Sequence, residues 1–389
     1  MKVIRILSLT VEPNAGGVEN HILEVYKRLQ DKGWKVQVYT TNFKKSQNLF
    51  SVLNKVYDGV KVKQLHYVFM KLLWLNPLWW VSIAKGEIIE FQNFMPLPGY
   101  FVCAITIFLR AIGMKRYSLV LASHGWWETN LEIQASWFKV VRRKFNLIFA
   151  IPIINLAFDR AKVVNQIEKD LLIKLGLTRV VIDVIPNGIS DEAFEYNGEF
   201  DEELKKYGDY IVQFSRIAKI KNVETPILAL PDLPDNINLV VAGGVFDEGY
   251  RKEIDDIVAS HHLQNRVHFV GRISGSKKFA YLKNSLAHTQ LSDWESLSIG
   301  FLEALSQGCI NIVWKDSAMA ELLKHYDCGY LIGDNHNPHE LAEIIKKLIA
   351  SPEEAARLRL NAFEAAKHYT WSSVADSIEK FYGRLPAIN

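Results

Sequence analysis

Two glutamates eight positions apart, Glu295 and Glu303, are the residues of this chain whose types and spacing best suit chemistry. Glu295 follows a strand-like stretch and a short polar loop, whereas Glu303 lies on an apolar helical run with Leu302 and Leu305. Eight residues span two helical turns plus about 80°, so the pair does not share one helix face. We expect a loop to carry Glu295 and the following helix to carry Glu303. Two carboxylates beside a helix N-terminus, which attracts phosphates, suit a nucleotide sugar.

Two basic residues, Arg216 and Lys221, are predicted just past the C-terminal edge of a strand. Ligands of α/β sheets bind at this edge. The pair could hold a diphosphate and stabilise the charge of a departing nucleotide. Solvated surface charge is the alternative for either residue taken alone.

Further candidates lie in loops at predicted strand ends. Gly16 and Gly17 separate a strand from a helix, and glycine permits close backbone approach to a diphosphate or a sugar. They do not form the GxGxxG fingerprint, so a dehydrogenase is not expected. His124 closes a strand and is followed by Gly125, which places it in a loop at the sheet edge. His21, on the first helix, is predicted to be structural or solvated.

The composition is that of a globular protein long enough for two domains. The chain has 389 residues, of which 49% are hydrophobic and 23% charged. Its three cysteines are an odd number without CxxC spacing, which favours a reducing compartment over a disulfide framework or a zinc site. We expect no signal peptide and a cytoplasmic protein. The excess of positive charge lies in residues 1–199, whereas the remainder of the chain is net acidic. The two halves are therefore predicted to have different partners. Nucleic acid is not expected to be one of them.

Strand-like and helical stretches alternate along the chain, which predicts βαβ units and mainly parallel sheets. The turn signal Pro186-Asn187-Gly188 and an acidic stretch to about Asp209 interrupt this alternation, and the same pattern then restarts. The fold class is therefore predicted to be α/β with two doubly wound domains. The predicted strands are 3–9, 34–40, 117–122, 161–165, 180–185, 210–214, 238–242, 267–270, 286–291 and 310–314.

Several ordered motifs resemble those of one enzyme family, the retaining GT-B glycosyltransferases of the group 1 family (glycosyltransferase family 4). The resemblance covers nearly the whole chain. Its motifs are Gly16-Gly17-Val18-Glu19, Ser123-His124-Gly125, Ile185-Pro186-Asn187-Gly188-Ile189, Ser215-Arg216 with Lys221-Asn222, the Glu295 and Glu303 pair, Glu321, and Tyr369-Thr370-Trp371-Ser372. The chain departs from the family at Ser215 and Asn222, where glycine is usual, and at Ser298, where glycine or proline is frequent.

The resemblance implies a GT-B architecture, in which two Rossmann-like domains face each other across a cleft. Residues 1–190 would form the acceptor domain and residues 191–370 the nucleotide-sugar donor domain. The last segment, 371–389, would be a helix that crosses back to the N-terminal domain. Closure about a hinge near 186–209 would exclude water from the reaction.

The resemblance also implies roles for individual residues. Glu303 would accept hydrogen bonds from the ribose hydroxyls, and Glu295 would lie by the donor sugar. The implied catalytic set is His124, Arg216, Lys221 and Glu295, and the implied donor-binding set is Gly16, Gly17, Arg216, Lys221, Glu295, Ser298, Ile299, Glu303 and Glu321.

The sequence predicts no metal site and no cofactor. There is no DxD-type pair at a strand end, no His/Cys/Asp cluster has metal-ligand spacing, and Asp255-Asp256 is predicted on a helix surface. A metal-independent enzyme is expected, in which basic residues and helix N-termini replace the cation and the nucleoside diphosphate sugar is a co-substrate.

Two aromatic-rich segments in the N-terminal half suggest a membrane surface as a partner. Residues 67–80 hold three tryptophans, and residues 137–145 place Lys139, Arg142, Arg143 and Lys144 beside apolar side chains. This pattern is typical of docking on anionic headgroups. Buried helices with a charged edge are the alternative. Apolar stretches at 99–112 and 147–158 are too short or too interrupted to span a bilayer.

The predicted function is transfer of a sugar, with retention, from a UDP- or GDP-sugar to a glycan or a lipid-linked saccharide, in the synthesis of a surface polysaccharide or glycoconjugate. The protein is expected to be cytoplasmic and peripheral on the inner face of the membrane. Two alternatives stay open: a sugar-nucleotide epimerase on the same fold, and a non-catalytic scaffold for a partner enzyme.

Overall fold

A computed structural model describes residues 3–8, 17–42, 52–57, 59–66, 87–93, 96–114, 117–125 and 148–386. The chain divides into two compact units. Unit 1 comprises Met1–Asn187 together with Ser372–Asn389, and unit 2 comprises Gly188–Trp371. The sequence placed these divisions at 190/191 and 370/371. Gly16 and both aromatic-rich segments, 67–80 and 137–145, lie outside the described residues.

The described residues of unit 1 form an eight-stranded sheet. Its strands are β1 (Val3–Leu7), β2 (Lys35–Asn42), β3 (Val52–Tyr57), β4 (Val60–His66), β5 (Ile88–Gln92), β6 (Ser118–Ala122), β7 (Arg160–Val163) and β8 (Val181–Val184). Before unit 2 the described residues form four helices, α1 (Gly17–Asp31), α2 (Pro96–Ala111), α3 (148–157) and α4 (Gln166–Lys174).

The strand order in unit 1 is β3-β4-β2-β1-β5-β6-β7-β8, and every neighbouring pair is parallel except β3 with β4. The strands that follow β1 in the chain lie first on one side of it and then on the other. The point where this direction reverses, between β1 and β5, is where ligands bind in open α/β sheets.

Unit 2 is built on a six-stranded, fully parallel sheet. Its strands are β9 (Asp209–Phe214), β10 (Ile237–Ala242), β11 (Val267–Gly271), β12 (His288–Gln290), β13 (Asn311–Trp314) and β14 (Gly329–Ile332). The helices from here to the C-terminus are α5 (Asp201–Leu204), α6 (Glu224–Ala229), α7 (Glu248–Ser260), α8 (Ser276–Lys283), α9 (Ile299–Ser306), α10 (Ala320–Tyr326), α11 (Pro338–Ala350), α12 (Pro352–Ala366) and α13 (Trp371–Gly383).

The order β11-β10-β9-β12-β13-β14 is the 3-2-1-4-5-6 order of a Rossmann-like sheet. It confirms the predicted doubly wound α/β fold for this unit, and its switch point lies between β9 and β12. Buried strand residues and the inner faces of the helices form two core clusters, one of which includes Ile211, Leu239 and Ile312 and the other Val212 and Val240. Burial of such side chains is the main favourable term in folding.

Helix starts in both units follow local capping rules. The side chains of Asn165, Asp247 and Asn337 each accept a backbone N–H three residues on, at the starts of α4, α7 and α11. Such caps satisfy N–H groups that have no partner within the helix. Pro338 follows the last of these caps at the first helical position, where its missing N–H costs nothing.

Four strands were not predicted from the sequence. The β3–β4 hairpin carries three lysines, Lys55, Lys61 and Lys63, among its apolar residues, and β14 is only four residues long. Strand β5 has the burial of a central strand at every residue, yet it contains Glu90 and Gln92. Polar residues interrupt the apolar run by which a buried strand is predicted. The free-energy cost of burying them is offset only by hydrogen-bond partners elsewhere in the chain, which the local sequence does not show.

Within the described residues, no helix is long and apolar enough to cross a membrane. The three cysteines are all buried free thiols. Burial raises the pKa of Cys103 and of Cys328 to about 12.

Candidate functional site

The candidate residues of unit 2 gather at the switch point of its sheet. Arg216 and Lys221 follow β9, and Glu295 follows the adjacent strand β12. Because neighbouring parallel strands present their carboxyl ends at one sheet edge, both loops open onto the same crevice. The sheet order therefore brings together residues that the sequence could only place at two separate strand ends.

Lys221 and Glu295 form an ion pair across this switch point. Both side chains are largely buried, with 12% and 20% exposure respectively. The loops that carry them are joined through the backbone, where Asp293 donates its N–H to Ile220 O at 3.0 Å. Gln290, at the end of β12, donates to the same carboxylate oxygen of Glu295 at 3.4 Å. The pair thus has a fixed position at the sheet edge.

Asn222, which replaces the usual family glycine, has a left-handed backbone with φ 48°. Glycine favours this conformation, and asparagine is the residue that tolerates it next best. The Asn222 side chain is buried and donates to Leu291 O at 3.2 Å and to Asn335 O at 2.5 Å. The substitution therefore keeps the turn after Lys221 and adds one hydrogen bond to the loop that leads to Glu295 and one to the loop after β14.

Arg216 is exposed at the same edge, and its guanidinium lies over the ring of Phe246 at 4.6 Å from the centroid. It makes no hydrogen bond or ion pair with any residue that the structure describes. Phe246 is 69% exposed in the loop after β10. Stacking on an aromatic face orients a guanidinium and leaves its N–H groups free for an anion. Phe246 was not among the predicted site residues, although an aromatic residue two positions after Gly243-Gly244 was a usable signal.

Helix α9 presents free N–H groups at its start. Ser298 is its N-cap, and its hydroxyl accepts from Phe301 N at 3.3 Å. The N–H groups of Ile299 and Gly300 have no acceptor among the described residues. A Cβ placed on Gly300 would lie 3.9 Å from Phe214 O, so the helix starts beside the end of β9. An anion bound near Arg216 would meet this helix N-terminus.

Glu303 lies one turn into α9 and is buried, with 8% exposure. Burial raises the pKa of its carboxyl, and the ammonium of Lys278 on α8, with which it forms an ion pair, opposes that rise. Lys278 was not among the predicted residues, because no local pattern links it to a residue 25 positions away. The ion pair holds the Glu303 carboxylate in an apolar environment, where a hydrogen bond from a hydroxyl group is stronger than it would be in water.

Glu321 is exposed in the first turn of α10, after β13. The structure shows no hydrogen bond or ion pair between Glu321 and any other described residue. Glu321 therefore lies after β13, the strand next to β12, and is not part of the Lys221–Glu295 ion pair.

In unit 1, His124 follows β6 beside the switch point between β1 and β5. Its backbone N–H donates to Asn93 Oδ1 at 2.9 Å, and its Nε2 lies 2.6 Å from Gln92 Oε1. The next residue, Gly125, donates its N–H to the buried carboxylate of Glu168 at 2.9 Å. The loop is thus held at three points, and the ring of His124 has a defined direction.

His21, on α1, packs edge-on against His124 with 4.8 Å between ring centroids. His21 is buried, and the pKa of its imidazole lies well below the ordinary value, because of burial first and of its neighbours His124 and Lys162 second. Burial, helped by Lys162, lowers the pKa of His124 to about 3. Because both pKa values lie below the physiological range, both imidazoles are neutral at physiological pH. Gly17, another predicted site residue, begins the helix that carries His21.

Acid pH is expected to destabilise the protein through these histidines and through His288 in β12, whose pKa burial lowers to about 4. An unfolded histidine titrates near 6.5, so between about pH 6.5 and 4 the unfolded chain binds more protons than the folded one. Stability then falls by up to about 1.4 kcal/mol per pH unit for each histidine. Urea unfolding at pH 7.5, 6.5 and 5.5 measures this slope. His288→Leu should reduce it and the exposed-site control His261→Leu should not; an unchanged slope in His288→Leu would refute the assignment.

The arrangement in unit 2 supplies two cations, two helix N–H groups and two carboxylates around one sheet edge. Cations and N–H groups bind and stabilise a diphosphate, whereas the carboxylates accept hydrogen bonds from hydroxyls. Among the described residues, no group of three or more His, Cys, Asp or Glu is placed to hold a metal ion.

Two family models match the chain in sequence order. The model described as Glycosyltransferase Family 4 matches residues 15–193, and that described as Glycosyl transferases group 1 matches residues 197–365. The two matches meet near the division between the units and together include every candidate site residue.

Several relatives match the chain over nearly its whole length. An uncharacterized glycosyltransferase of Methanocaldococcus jannaschii is 25% identical over 96% of both chains. The gpi3 subunit of the phosphatidylinositol N-acetylglucosaminyltransferase of Schizosaccharomyces pombe is 21% identical over 97% of this chain and 79% of its own. Among solved structures, Anabaena HepE in complex with UDP and glucose matches 99% of this chain and 100% of its own with a TM-score of 0.77 and 19% identity.

Proposed function

Because the chain belongs to the group 1, family 4 glycosyltransferases and has their GT-B fold, we propose that it transfers a sugar from a UDP- or GDP-sugar with retention of configuration. The observation that carries the proposal is the switch point of unit 2, where the Lys221–Glu295 pair, Arg216 and the start of α9 surround one edge of the sheet. The complex of the similar HepE protein with UDP and glucose supports a nucleotide sugar as the donor.

In this proposal the diphosphate binds Arg216, Lys221 and the free N–H groups of Ile299 and Gly300. Arg216 needs no rearrangement to reach an anion, since its guanidinium is oriented only by Phe246. Lys221 is held by Glu295 until the donor arrives, and the diphosphate then shares its charge. Glu303 accepts hydrogen bonds from the two ribose hydroxyls, and Glu295 accepts one from the donor sugar.

The chemistry follows from where charge develops. As the bond between sugar and phosphate breaks, negative charge grows on the leaving diphosphate and positive charge on the sugar. The two cations and the helix N-terminus stabilise the first, and the Glu295 carboxylate stabilises the second. The acceptor hydroxyl attacks on the face that the diphosphate leaves and passes its proton to a phosphate oxygen, so that configuration is retained. Two protein cations at the diphosphate take the role that a metal ion has elsewhere, and we propose a metal-independent reaction.

The first test measures release of nucleoside diphosphate from a panel of UDP-, GDP- and ADP-sugars in the presence of mixed saccharide acceptors. Each reaction is run with and without excess EDTA. We expect turnover of one UDP- or GDP-sugar, unchanged by EDTA. Glu303→Ala should lower kcat/KM about a hundredfold, because two hydrogen bonds to a charged acceptor are lost at roughly 1.5 kcal/mol each. The exposed helix glutamate Glu253→Ala is the matched control.

Each other outcome excludes part of the proposal. Activity abolished by EDTA and restored by a divalent cation would refute metal independence. A product with the opposite anomeric configuration by NMR would refute retention. An epimerised nucleotide sugar would favour the epimerase. Silence across the panel, together with no nucleotide binding by calorimetry, would favour a scaffold.

For the acceptor, we propose a saccharide or headgroup on a lipid at an anionic membrane surface. The similar gpi3 protein is a subunit of a phosphatidylinositol N-acetylglucosaminyltransferase, which supports a lipid acceptor. Helix α2 supports the membrane surface, because Phe108 is 63% exposed on it and Phe101 is exposed about two turns earlier. Ile112, directly after the last residue of the helix, is 53% exposed. Exposed aromatic and aliphatic side chains on one helix suit insertion among headgroups.

Flotation with phosphatidylglycerol liposomes at low salt tests this surface. We expect the protein to float with the vesicles, and Phe101→Ser/Phe108→Ser to lower the bound fraction several-fold. Leu360→Ser, which alters a residue that is 61% exposed in unit 2, is the matched control. A protein that stays at the bottom of the gradient at low salt would refute membrane docking.

A further inference from the structure

A fully buried polar cluster in unit 1 contacts His124 through Gln92. It is centred on Glu90, a carboxylate in the middle of the sheet with no exposed surface. We call it the Glu90 cluster, and its members are Glu90 and Gln92 on β5, Lys162 on β7, Tyr26 on α1 and Tyr382 on α13. A buried charge of this kind is costly unless it is paired and hydrogen-bonded, and this one has four partners.

The contacts around Glu90 are specific. Its Oε1 accepts from Gln92 Nε2 at 2.6 Å and lies 3.1 Å from Lys162 Nζ. Its Oε2 accepts from the Tyr382 hydroxyl at 2.6 Å, and the Tyr26 hydroxyl also donates to the carboxylate. Every neighbour is a donor, so the carboxylate is satisfied as an anion.

This arrangement decides which way the Gln92 amide faces. An ionised carboxylate only accepts hydrogen bonds, so the NH2 of Gln92 must point toward Glu90. The NH2 also lies 2.8 Å from the Tyr26 hydroxyl. The amide oxygen consequently faces the other way, toward Nε2 of His124 at 2.6 Å.

The amide oxygen in turn decides the tautomer of His124. An oxygen acceptor at 2.6 Å requires a proton on Nε2. A neutral imidazole with the proton on Nε2 carries a lone pair on Nδ1. No described residue forms a hydrogen bond with Nδ1, so this atom is available as an acceptor.

We propose that Gln92 is a positioning residue, held by the Glu90 cluster, which fixes His124 as the Nε2–H tautomer so that Nδ1 accepts a hydrogen bond from a substrate hydroxyl. The last step rests on the proposed glycosyltransferase function; the tautomer does not. Because Tyr382 lies on α13, the cluster also makes the position of His124 depend on the C-terminal helix. Local sequence could not reveal this, since Tyr382 and Glu90 are 292 positions apart.

The test is 15N-histidine NMR of the full chain, with the His124 signals assigned by His124→Gln. We expect Nε2–H at neutral pH, with a slowly exchanging proton. Gln92→Met keeps the side-chain length but removes the acceptor, so the proton should exchange rapidly and the ring nitrogens should shift. The double variant Glu90→Gln/Gln92→Glu exchanges the two side chains, so that it restores an acceptor toward His124 and keeps one carboxylate in the Glu90 cluster. It should restore the protected proton. Gln37→Met, a half-buried glutamine on β2, is the matched control.

Turnover gives a second reading. We expect kcat to fall about tenfold to a hundredfold in Gln92→Met, the cost of one or two lost hydrogen bonds, and to recover in the double variant. A Nδ1–H tautomer in the unaltered protein, or a protected Nε2–H proton in Gln92→Met, would overturn the proposal. The expected NMR changes with unaltered turnover would uphold Gln92 as the positioning residue and remove His124 from the proposed reaction. If Gln92→Met does not fold, the tautomer of the unaltered protein still decides.

Discussion

Replacing Lys221 with methionine is expected to lower kcat about a thousandfold, which corresponds to roughly 4 kcal/mol of transition-state stabilisation. Lys221 is only 12% exposed and ion-paired with Glu295, so its ammonium acts on the leaving diphosphate in a setting that water screens little. The substitution removes that cation and leaves the Glu295 carboxylate as an uncompensated negative charge beside the diphosphate. Steady-state release of nucleoside diphosphate from the donor identified above measures the effect.

Lys219→Met is the control for Lys221→Met. Lys219 is two positions earlier in the same turn, but it is exposed and pairs with Glu253 at 3.1 Å. An exposed pair of this kind contributes less than about 1 kcal/mol, so neither activity nor Tm should change appreciably. If Lys221→Met retains kcat within about threefold of the unaltered protein while Lys219→Met behaves in the same way, Lys221 does not bind the diphosphate.

Gly243→Ala is expected to destabilise unit 2 by at least about 3 kcal/mol, or to displace the loop that carries Arg216. A Cβ at Gly243 would lie 1.8 Å from Ser215 O and 2.6 Å from the Ser215 carbonyl carbon, and neither is a flexible atom. Only glycine allows the loop after β10 to pass this close to the backbone that precedes Arg216. Urea unfolding and calorimetric titration with the nucleoside diphosphate measure stability and binding separately.

The adjacent Gly244 provides the control for Gly243→Ala. A Cβ at Gly244 would have nothing within 4 Å, so Gly244→Ala should change the free energy of unfolding by less than about 1 kcal/mol and leave binding intact. Equal behaviour of the two variants would contradict the close approach. A stable Gly243→Ala protein that no longer binds nucleotide would locate the damage at the Ser215–Arg216 backbone.

Much of the candidate site could be predicted from the sequence, because its residues lie at strand ends, loops and helix starts that the local sequence pattern indicates. Glu295 was expected in a loop and Glu303 on the helix that follows, and α9 begins at Ile299 between them. Arg216 and Lys221 were expected past a strand end, and β9 ends at Phe214. The roles of these residues stay predictions, and Gly16 lies outside the described residues.

The partners of the predicted residues could not be found in this way. Lys278, which pairs with Glu303, and Phe246, which stacks on Arg216, occupy no motif. Their significance follows from which helices and loops the sheet order makes neighbours. His21 was expected to be structural or solvated. It is buried, and its position against His124 follows from the packing of α1 beside the end of β6.

The sequence by itself determined the alternation of strands and helices, the two α/β units and the loops in which chemical residues stand, because these depend on periodicity and turn signals over a few residues. Only the tertiary structure decided which loops share a crevice and which charges are paired. Lys221 and Glu295 are 74 positions apart and meet only because β9 and β12 are adjacent in the sheet. Glu90 illustrates the same limit more strongly. A carboxylate inside a central strand is unfavourable by every local rule, and its burial is stabilised only by donors that four different elements bring to it.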